Sequence, residues 1–171
     1  IAAVENGADA IYLGGRSFNA RMKAGNFDDA MLVKAVDFAH KRGVDVHVAM
    51  NILLRDDELR DALEYAAFLY ETGVDALIVQ DLGLASLIYK NLPDFPLHLS
   101  TQGTVYSLDG VKAAERMGFR RVVLSRELSC EEIKFICANT ETEIETFVHG
   151  AICICYSGQC QLSRAFGGRS G

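Results

Sequence analysis

Residues 72–81 read "TGVDALIVQD", and this stretch decides the fold. A glycine is followed by a short polar step, then by an apolar run that ends on polar residues. Two other stretches repeat the pattern: "NGADAIYLGG" at 6–15 and "RGVDVHVAMN" at 42–51. "MGFRRVVLSR" at 117–126 is a looser fourth copy. Gly7, Gly43, Gly73 and Gly118 stand where a helix ends and the next residue must turn left-handed. The apolar runs are nearly continuous rather than alternating, as in strands buried on both faces of a parallel sheet.

Helical segments lie between the runs. "FDDAMLVKAVDFAHKRG" (27–43) and "DDELRDALEYAAFLYETG" (56–73) carry apolar residues at helical spacing, with aspartates early where the helix dipole favours them. "LGLASLIYKNLPDFP" (82–96) is a helix stopped by proline. "SLDGVKAAERMG" (107–118) and "SCEEIKFICANT" (129–140) each open on a serine cap, and Ser129 with Glu132 forms a capping box. The expected strands are 10–14, 44–50, 76–80, 97–100, 121–125 and 143–149. Strict alternation of strand and helix predicts an α/β fold with parallel strands. No dinucleotide fingerprint is present, since "LGGRSFNARMKAG" is not GxGxxG. A partial (β/α) barrel of the TIM type, with six βα units, is therefore the expected architecture. The whole of 1–171 reads as part of one barrel domain, lacking the first strand and the C-terminal part.

At 171 residues, half of them apolar and 23% charged, the chain suffices for one domain with a real core. No run approaches the ~18 apolar residues of a membrane span. No signal peptide is recognisable at the start, so a cytoplasmic protein is expected, with no membrane partner. The net charge of −6 argues against a whole-surface attraction to nucleic acid. A local basic patch remains, with Arg16, Arg21 and Lys23 close together and Arg164 and Arg169 near the end.

In such barrels the chemistry lies at the C-terminal ends of the strands. Those ends are Gly14-Gly15-Arg16, Asn51, Gln80-Asp81, Ser100-Thr101-Gln102, Ser125-Arg126-Glu127 and residues 145–149. Together they predict a polar mouth. His47 and His98 sit inside strands and read as barrel-interior residues; His40 reads as surface. Cys130 and Cys137 share one helix stripe and read as small core residues.

The remaining cysteines form a cluster, Cys153-x-Cys155-x4-Cys160, after His149. Gly158 lets the chain turn back so that Cys153 and Cys160 can meet. Thiolates are soft ligands that suit zinc, copper(I) or iron–sulfur clusters. By count, His149, Cys153, Cys155 and Cys160 make a zinc site, although the usual CxxC knuckle is absent. An iron–sulfur site needs a fourth thiolate from elsewhere. Inert thiols and a Cys–His nucleophile are the other readings. The sequence holds no HExxH motif.

The stretch "ETFVHGAICICYSGQCQLS" (145–163) resembles the signature of the collagenase-like peptidases, peptidase family U32. The pattern is met by Glu145, Phe147, Gly150, Ala151, Ile152, Cys153, Gly158, Cys160, Leu162 and Ser163. "GADAIYLGGRSFNAR", "VHVAMNILL", "LHLSTQ" and "VVLSREL" extend the resemblance over essentially the whole chain. It implies an enzyme, and it implies two different activities. Some members are peptidases, with no agreed nucleophile. Others hydroxylate RNA bases or the ubiquinone ring, some with a four-iron four-sulfur cluster on four cysteines. Two of those ligands correspond to Cys153 and Cys160; the other two would lie beyond Gly171, and Cys155 would be a neighbour only. The resemblance thus points to an iron–sulfur cluster (4Fe-4S) and to tRNA or rRNA as substrate. Arg16, Arg21 and Arg126 would hold anionic groups, Asn51 and Gln102 would bind substrate at the mouth, and His149 and Glu145 would lie near the chemistry. The alternatives are a peptidase acting on a protein or peptide through a metal or Cys160, with zinc the alternative metal, and a non-catalytic RNA-binding barrel.

Overall fold

The computed structural model describes residues 1–20, 25–150 and 153–160. After a short helix α1 (Ala2–Glu5), six strands alternate with helices. They are β1 (Ala10–Gly14), α2 (Asp29–His40), β2 (Asp45–Met50), α3 (Leu59–Thr72), β3 (Ala76–Val79) and α4 (Leu82–Asn91). Then come β4 (Leu97–Leu99), α5 (Leu108–Arg116), β5 (Phe119–Val123), α6 (Cys130–Ala138) and β6 (Glu143–Glu145). The strands form one sheet in the order β1-β2-β3-β4-β5-β6, and every neighbouring pair is parallel. Each crossover moves one strand along in the same direction, and parallel βα crossovers, which are right-handed as a rule, gather the helices on one face and curl the sheet. The result is a curled half-barrel, as the alternation of elements predicts.

The core lies between the sheet and the helices. Val46, Val48 and Met50 of β2, Leu77 and Val79 of β3, Leu97 and Leu99 of β4 and Val122 of β5 face it. Leu32 and Val36 of α2, Leu69 of α3, Leu84 and Ile88 of α4 and Val111 of α5 meet them. Each fully buried leucine contributes about 1.5–3 kcal/mol relative to exposure. Side chains alternate along a strand, so His47, Ala49, Ile78, His98, Arg121 and Val123 share the concave face. That set continues past the strand ends into Asn51, Gln80, Ser100 and Ser125.

Local signals act where expected. Gly7, Gly43, Gly73 and Gly118 all have φ between 69° and 91°. Asp28, Asp81, Ser107 and Ser129 cap α2, α4, α5 and α6 by accepting from Met31, Leu84, Gly110 and Glu132 backbone N–H groups. The Ser129 capping box is complete, because Ser129 N also donates to Glu132 Oε2 at 2.8 Å. Ser129→Ala is expected to cost about 1 kcal/mol in urea unfolding; an unchanged midpoint would mean α6 does not unfold with the sheet.

Three expectations need correction. β5 begins two residues earlier and ends at Val123. β6 stops at Glu145 rather than at 149. Among the described residues β5 is its only neighbour, and the bond from Leu124 N to Glu145 O is the last that pair makes; Phe147 and Val148 are exposed. His149 therefore lies in a bend rather than at a strand end. Cys130 and Cys137 are exposed, not core. α6 docks through Ile133 and Ile136, and the cysteine stripe lies off that face. No helix among the described residues is long and apolar enough to cross a membrane.

Candidate functional site

The C-terminal ends of parallel strands meet at one end of the half-barrel. There Asn51, Gln80, Ser100 and Ser125 are all buried. Asn51 Oδ1 accepts from Ala20 N at 3.0 Å, and its Nδ2 reaches Ser100 Oγ at 3.4 Å. Gln102 N donates to the same Ser100 Oγ at 3.2 Å, and Gln80 Nε2 donates to Gln102 O at 3.2 Å. Asp81 ties the rim to its helices, since Oδ1 caps α4 and Oδ2 accepts from Leu54 N at 3.1 Å. Gln80 Oε1, Gln102 Oε1 and Ser125 Oγ are buried without a partner among the described residues. Each such group costs about 1–3 kcal/mol until something satisfies it.

The cysteine loop is clamped onto this rim. Ser157 is buried; its N–H and Oγ donate to Glu127 Oε1 at 2.9 and 3.3 Å. Arg126 N donates to Ser157 Oγ at 3.1 Å, and Thr104 Oγ1 donates to Ser157 O at 2.9 Å. Burial works to raise the Glu127 carboxyl, but the bonds from Ser157 outweigh it and hold the acid below its usual range. Gly158 has φ +74°, and a Cβ there would stand 2.3 Å from both Gln102 O and Thr104 Oγ1. The loop backbone thus lies flat on Gln102. The Arg126 guanidinium donates to Cys153 O at 3.1 Å and to Cys155 O at 3.0 Å.

As a result the Sγ atoms of Cys153, Cys155 and Cys160 all lie within 4.8 Å of one another. Three thiols so close are a donor set able to bind a metal. Ligands bonded at about 2.3 Å around one tetrahedral ion stand about 3.8 Å apart. The Cys155 thiol is pushed up by its hydrogen bond with Cys160, by burial and by the charge that its two cysteine neighbours would carry when ionised. A cation relieves that repulsion. Cys155, expected to be a neighbour only, brings its sulfur into the same group.

The concave face above the rim carries a second polar set. His47 and His98 meet edge-to-face with ring centroids 4.8 Å apart. β3 runs between their strands and offers Ala76 in register with His47, leaving room for both rings. Burial, the Arg121 charge and His47 hold His98 down at about 3; burial and then Arg121 lower His47. Arg121 binds Glu143 Oε2 through Nε at 2.8 Å and Glu145 Oε2 through Nη1 at 3.3 Å. Between pH 6.5 and about 3, the unfolded chain binds a proton that folded His98 refuses. Stability is therefore expected to fall as pH drops through that window. His98→Gln should flatten the dependence in urea unfolding at pH 7 and about pH 5; an unchanged slope would contradict a buried neutral ring.

The structure brings Asn51, Gln102, Arg126, Cys153 and Cys160 into one connected assembly. Arg126 does so as a brace, because its guanidinium is engaged by two loop carbonyls rather than presented to an anion. Arg16 is exposed and pairs with Asp28 at 3.2 Å. Glu145 is engaged with Arg121, and His149 is exposed. Arg21, Ala151, Ile152, Leu162, Ser163, Arg164 and Arg169 lie outside the described residues. Sequence reasoning missed the Glu127–Ser157 clamp. Its only signal was a strand-end glutamate, and the pairing spans 30 residues.

Comparison with known proteins places the fold in a family. The sequence profile of peptidase family U32 matches residues 1–171. A protein of Escherichia coli K12 named as a 23S rRNA 5-hydroxycytidine synthase is 44% identical over 169 residues, covering 98% of this chain and 25% of that protein. The tRNA hydroxylation protein P of the same organism is 40% identical over 158 residues, 92% of this chain and 35% of its own length. A Methanocaldococcus jannaschii protein named as an uncharacterized protease is 36% identical over 172 residues, 98% of this chain and 42% of its length. The chain thus spans between a quarter and less than half of these curated relatives. In fold, the solved U32 peptidase Mk0906 superposes with a TM-score of 0.71 at 21% identity, over 85% of this chain and 62% of that one. A solved deoxyribose-phosphate aldolase-like structure from Coccidioides immitis gives 0.55 at 11% identity, over 85% and 62%. With a family profile matched from end to end, and relatives well above 30% identity along nearly all of it, this chain belongs to peptidase family U32.

Proposed function

We propose that this chain is the barrel portion of a longer cytoplasmic enzyme that hydroxylates a pyrimidine base in rRNA or tRNA, with an iron–sulfur cluster held in part by Cys153 and Cys160. The observation that carries the reading is the 44% identity, along nearly the whole chain, to a protein named as an rRNA hydroxycytidine synthase. The donor set fits a thiophilic group, because three thiols converge over the rim. When bound, such a cluster supplies electrons one at a time. The remaining ligands would come from beyond Gly171.

The chain's own residues have distinct tasks. Gln80, Gln102 and Ser125 carry polar atoms at the rim that are unpartnered among the described residues, which suits the hydrogen-bonding edge of a base taken out of its stack. Asn51 organises that rim. Arg16 and Arg21 are the candidate phosphate contacts, and Glu145 and His149 the candidates for moving protons. The test is deletion of the parent gene, followed by mass spectrometry of nucleosides from rRNA and tRNA. Loss of a nucleoside one oxygen heavier than its precursor supports the reading; an unchanged nucleoside profile contradicts it.

A second reading, hydrolysis of a peptide bond through a metal or Cys160, is favoured by the protease name of the archaeal relative. Against it, His47 and His98 face each other rather than a thiol or a serine hydroxyl. Chelator-sensitive cleavage of gelatin by the purified parent would support it.

A further inference from the structure

We infer that the mouth takes its RNA as unpaired nucleotides, with the bases beside the target stacked on Tyr106, Phe147 and Tyr156. This rests on the RNA reading above and adds to it how the strand is held.

Three observations carry it. The first is what surrounds the cysteine loop. Phe147, Val148, Ile154 and Tyr156 fall within ten residues of sequence, and all are exposed. Tyr106, on the loop after β4, is exposed as well. Tyr106, Phe147 and Tyr156 are 57%, 59% and 71% exposed, so most of each side chain is open to a ligand. Single hydrophobic residues scattered over a surface need no explanation, but a group of them around one site marks a contact surface.

The second observation is how these loops are joined. Thr104 Oγ1 donates to Ser157 O at 2.9 Å and accepts from Gln159 Nε2 at 3.2 Å. Tyr106 stands two residues from this junction and Tyr156 one, so the backbones that carry them are fixed side by side. Thr104 has φ +55°, which a β-branched residue adopts only under restraint, and the junction supplies the restraint. Phe147 leaves β6 two residues after Glu145, whose carbonyl accepts from Leu124 N. Two residues past Leu124, Arg126 N donates to Ser157 Oγ at 3.1 Å. The three aromatics thus rise from one bonded frame around the thiols. A frame already ordered loses little freedom when a base stacks on it.

The third observation is charge. The chain carries a net −6. Of the arginines nearest the cysteine loop, Arg126 is spent on the carbonyls of Cys153 and Cys155, and Arg121 on Glu143 and Glu145. Phosphate contacts here are few, so the bases have to supply the affinity. A duplex hides the faces of its bases and shows phosphates and 2′-hydroxyls, the wrong chemistry for this surface. An unpaired strand offers a π-face at every nucleotide. Taking the target base out of its stack also strips its neighbours of a partner, and the exposed rings restore one.

The test measures binding of labelled RNA to the intact parent protein by fluorescence anisotropy. The probes are a mixed-sequence single strand of about twelve nucleotides, the same strand in a duplex, and an abasic strand of equal length. The single strand should bind at least ~100-fold more tightly than either of the others. Tyr106→Ala, Phe147→Ala and Tyr156→Ala should each weaken it ~10-fold, whereas Tyr156→Phe, which keeps the ring, should stay within ~2-fold of wild type. Tyr89→Ala is the control, because Tyr89 is exposed near the end of α4, away from the mouth, and its affinity should be unchanged. Urea midpoints of the alanine variants at the mouth should match the wild type. Wild-type affinity in all three, or equal binding of the abasic strand, would overturn the inference. So would lowered midpoints with unchanged affinity, which would show the aromatics packed against the rest of the parent chain. If those variants bind as wild type while gene deletion still removes the hydroxylated nucleoside, stacking falls and RNA hydroxylation stands. If the stacking results hold and deletion changes no nucleoside, hydroxylation falls and the binding surface stands.

Discussion

Cys160→Ser in the intact parent protein is expected to lower the hydroxylated nucleoside in cellular RNA at least ~100-fold, since altering residues that merely orient metal ligands already costs 10–100-fold. Cys160 sits in a preformed group with Cys153 and Cys155. That group is fixed from below by Gly158 on Gln102 and from the side by Arg126. A serine hydroxyl at this position is a hard, neutral donor and a poor substitute for thiolate. The control lies on α6: Cys130 and Cys137 are exposed and outside the trio, so serine at either should leave the nucleoside level unchanged. Nucleoside mass spectrometry of strains carrying each variant reads both. Normal modification in the Cys160→Ser strain would remove the thiol group from the chemistry.

Gly158→Val carries the second large effect. The new Cβ would stand 2.3 Å from a backbone carbonyl and from Thr104 Oγ1, at a φ of +74° that β-branched residues avoid. Gln102 O belongs to the main chain just after β4, so the loop must lift instead. Lifting it separates the thiols from the brace and the clamp. Metal affinity of the chain should fall by ~10–100-fold, while the far-ultraviolet spectrum stays that of the parent, because the core between sheet and helices does not include residues 153–160. Gly43→Ala provides the comparison. It has φ +69° but open space around the missing Cβ, so it should cost only about 1 kcal/mol of stability and leave metal binding intact. Equal metal affinity in Gly158→Val and the wild type would contradict the packing of the loop on the rim.

The half-barrel was legible because its signals are local. Glycine after α1, α2, α3 and α5, a side-chain cap before α2, α4, α5 and α6, and an apolar run after each of those glycines lie within a few residues of one another. The same locality explains the errors. β6 was read through to residue 149 because its apolar pattern continues, whereas its true end is set by β5, some twenty residues away, running out of ladder at Val123. Cys130 and Cys137 fell on a helical stripe, yet which stripe of α6 docks depends on Ile133 and Ile136 meeting the sheet. At the site, residue types at strand ends pointed to a polar mouth, and Asn51 and Gln102 lie in it. Arg126 was legible as a functional cation but not as a brace, because its partners are backbone carbonyls that no side-chain pattern reveals. Cys155 was set aside by the family pattern, and its sulfur lies within 4.8 Å of those of Cys153 and Cys160.

The measurement that bears most directly on the account is the iron and sulfide content of the intact parent protein, purified without oxygen, beside its Cys153→Ser and Cys160→Ser variants. The account predicts about four irons and four sulfides per chain in the wild type, lost in both variants. A folded wild-type protein without iron, or variants that retain it in full, would contradict the cluster.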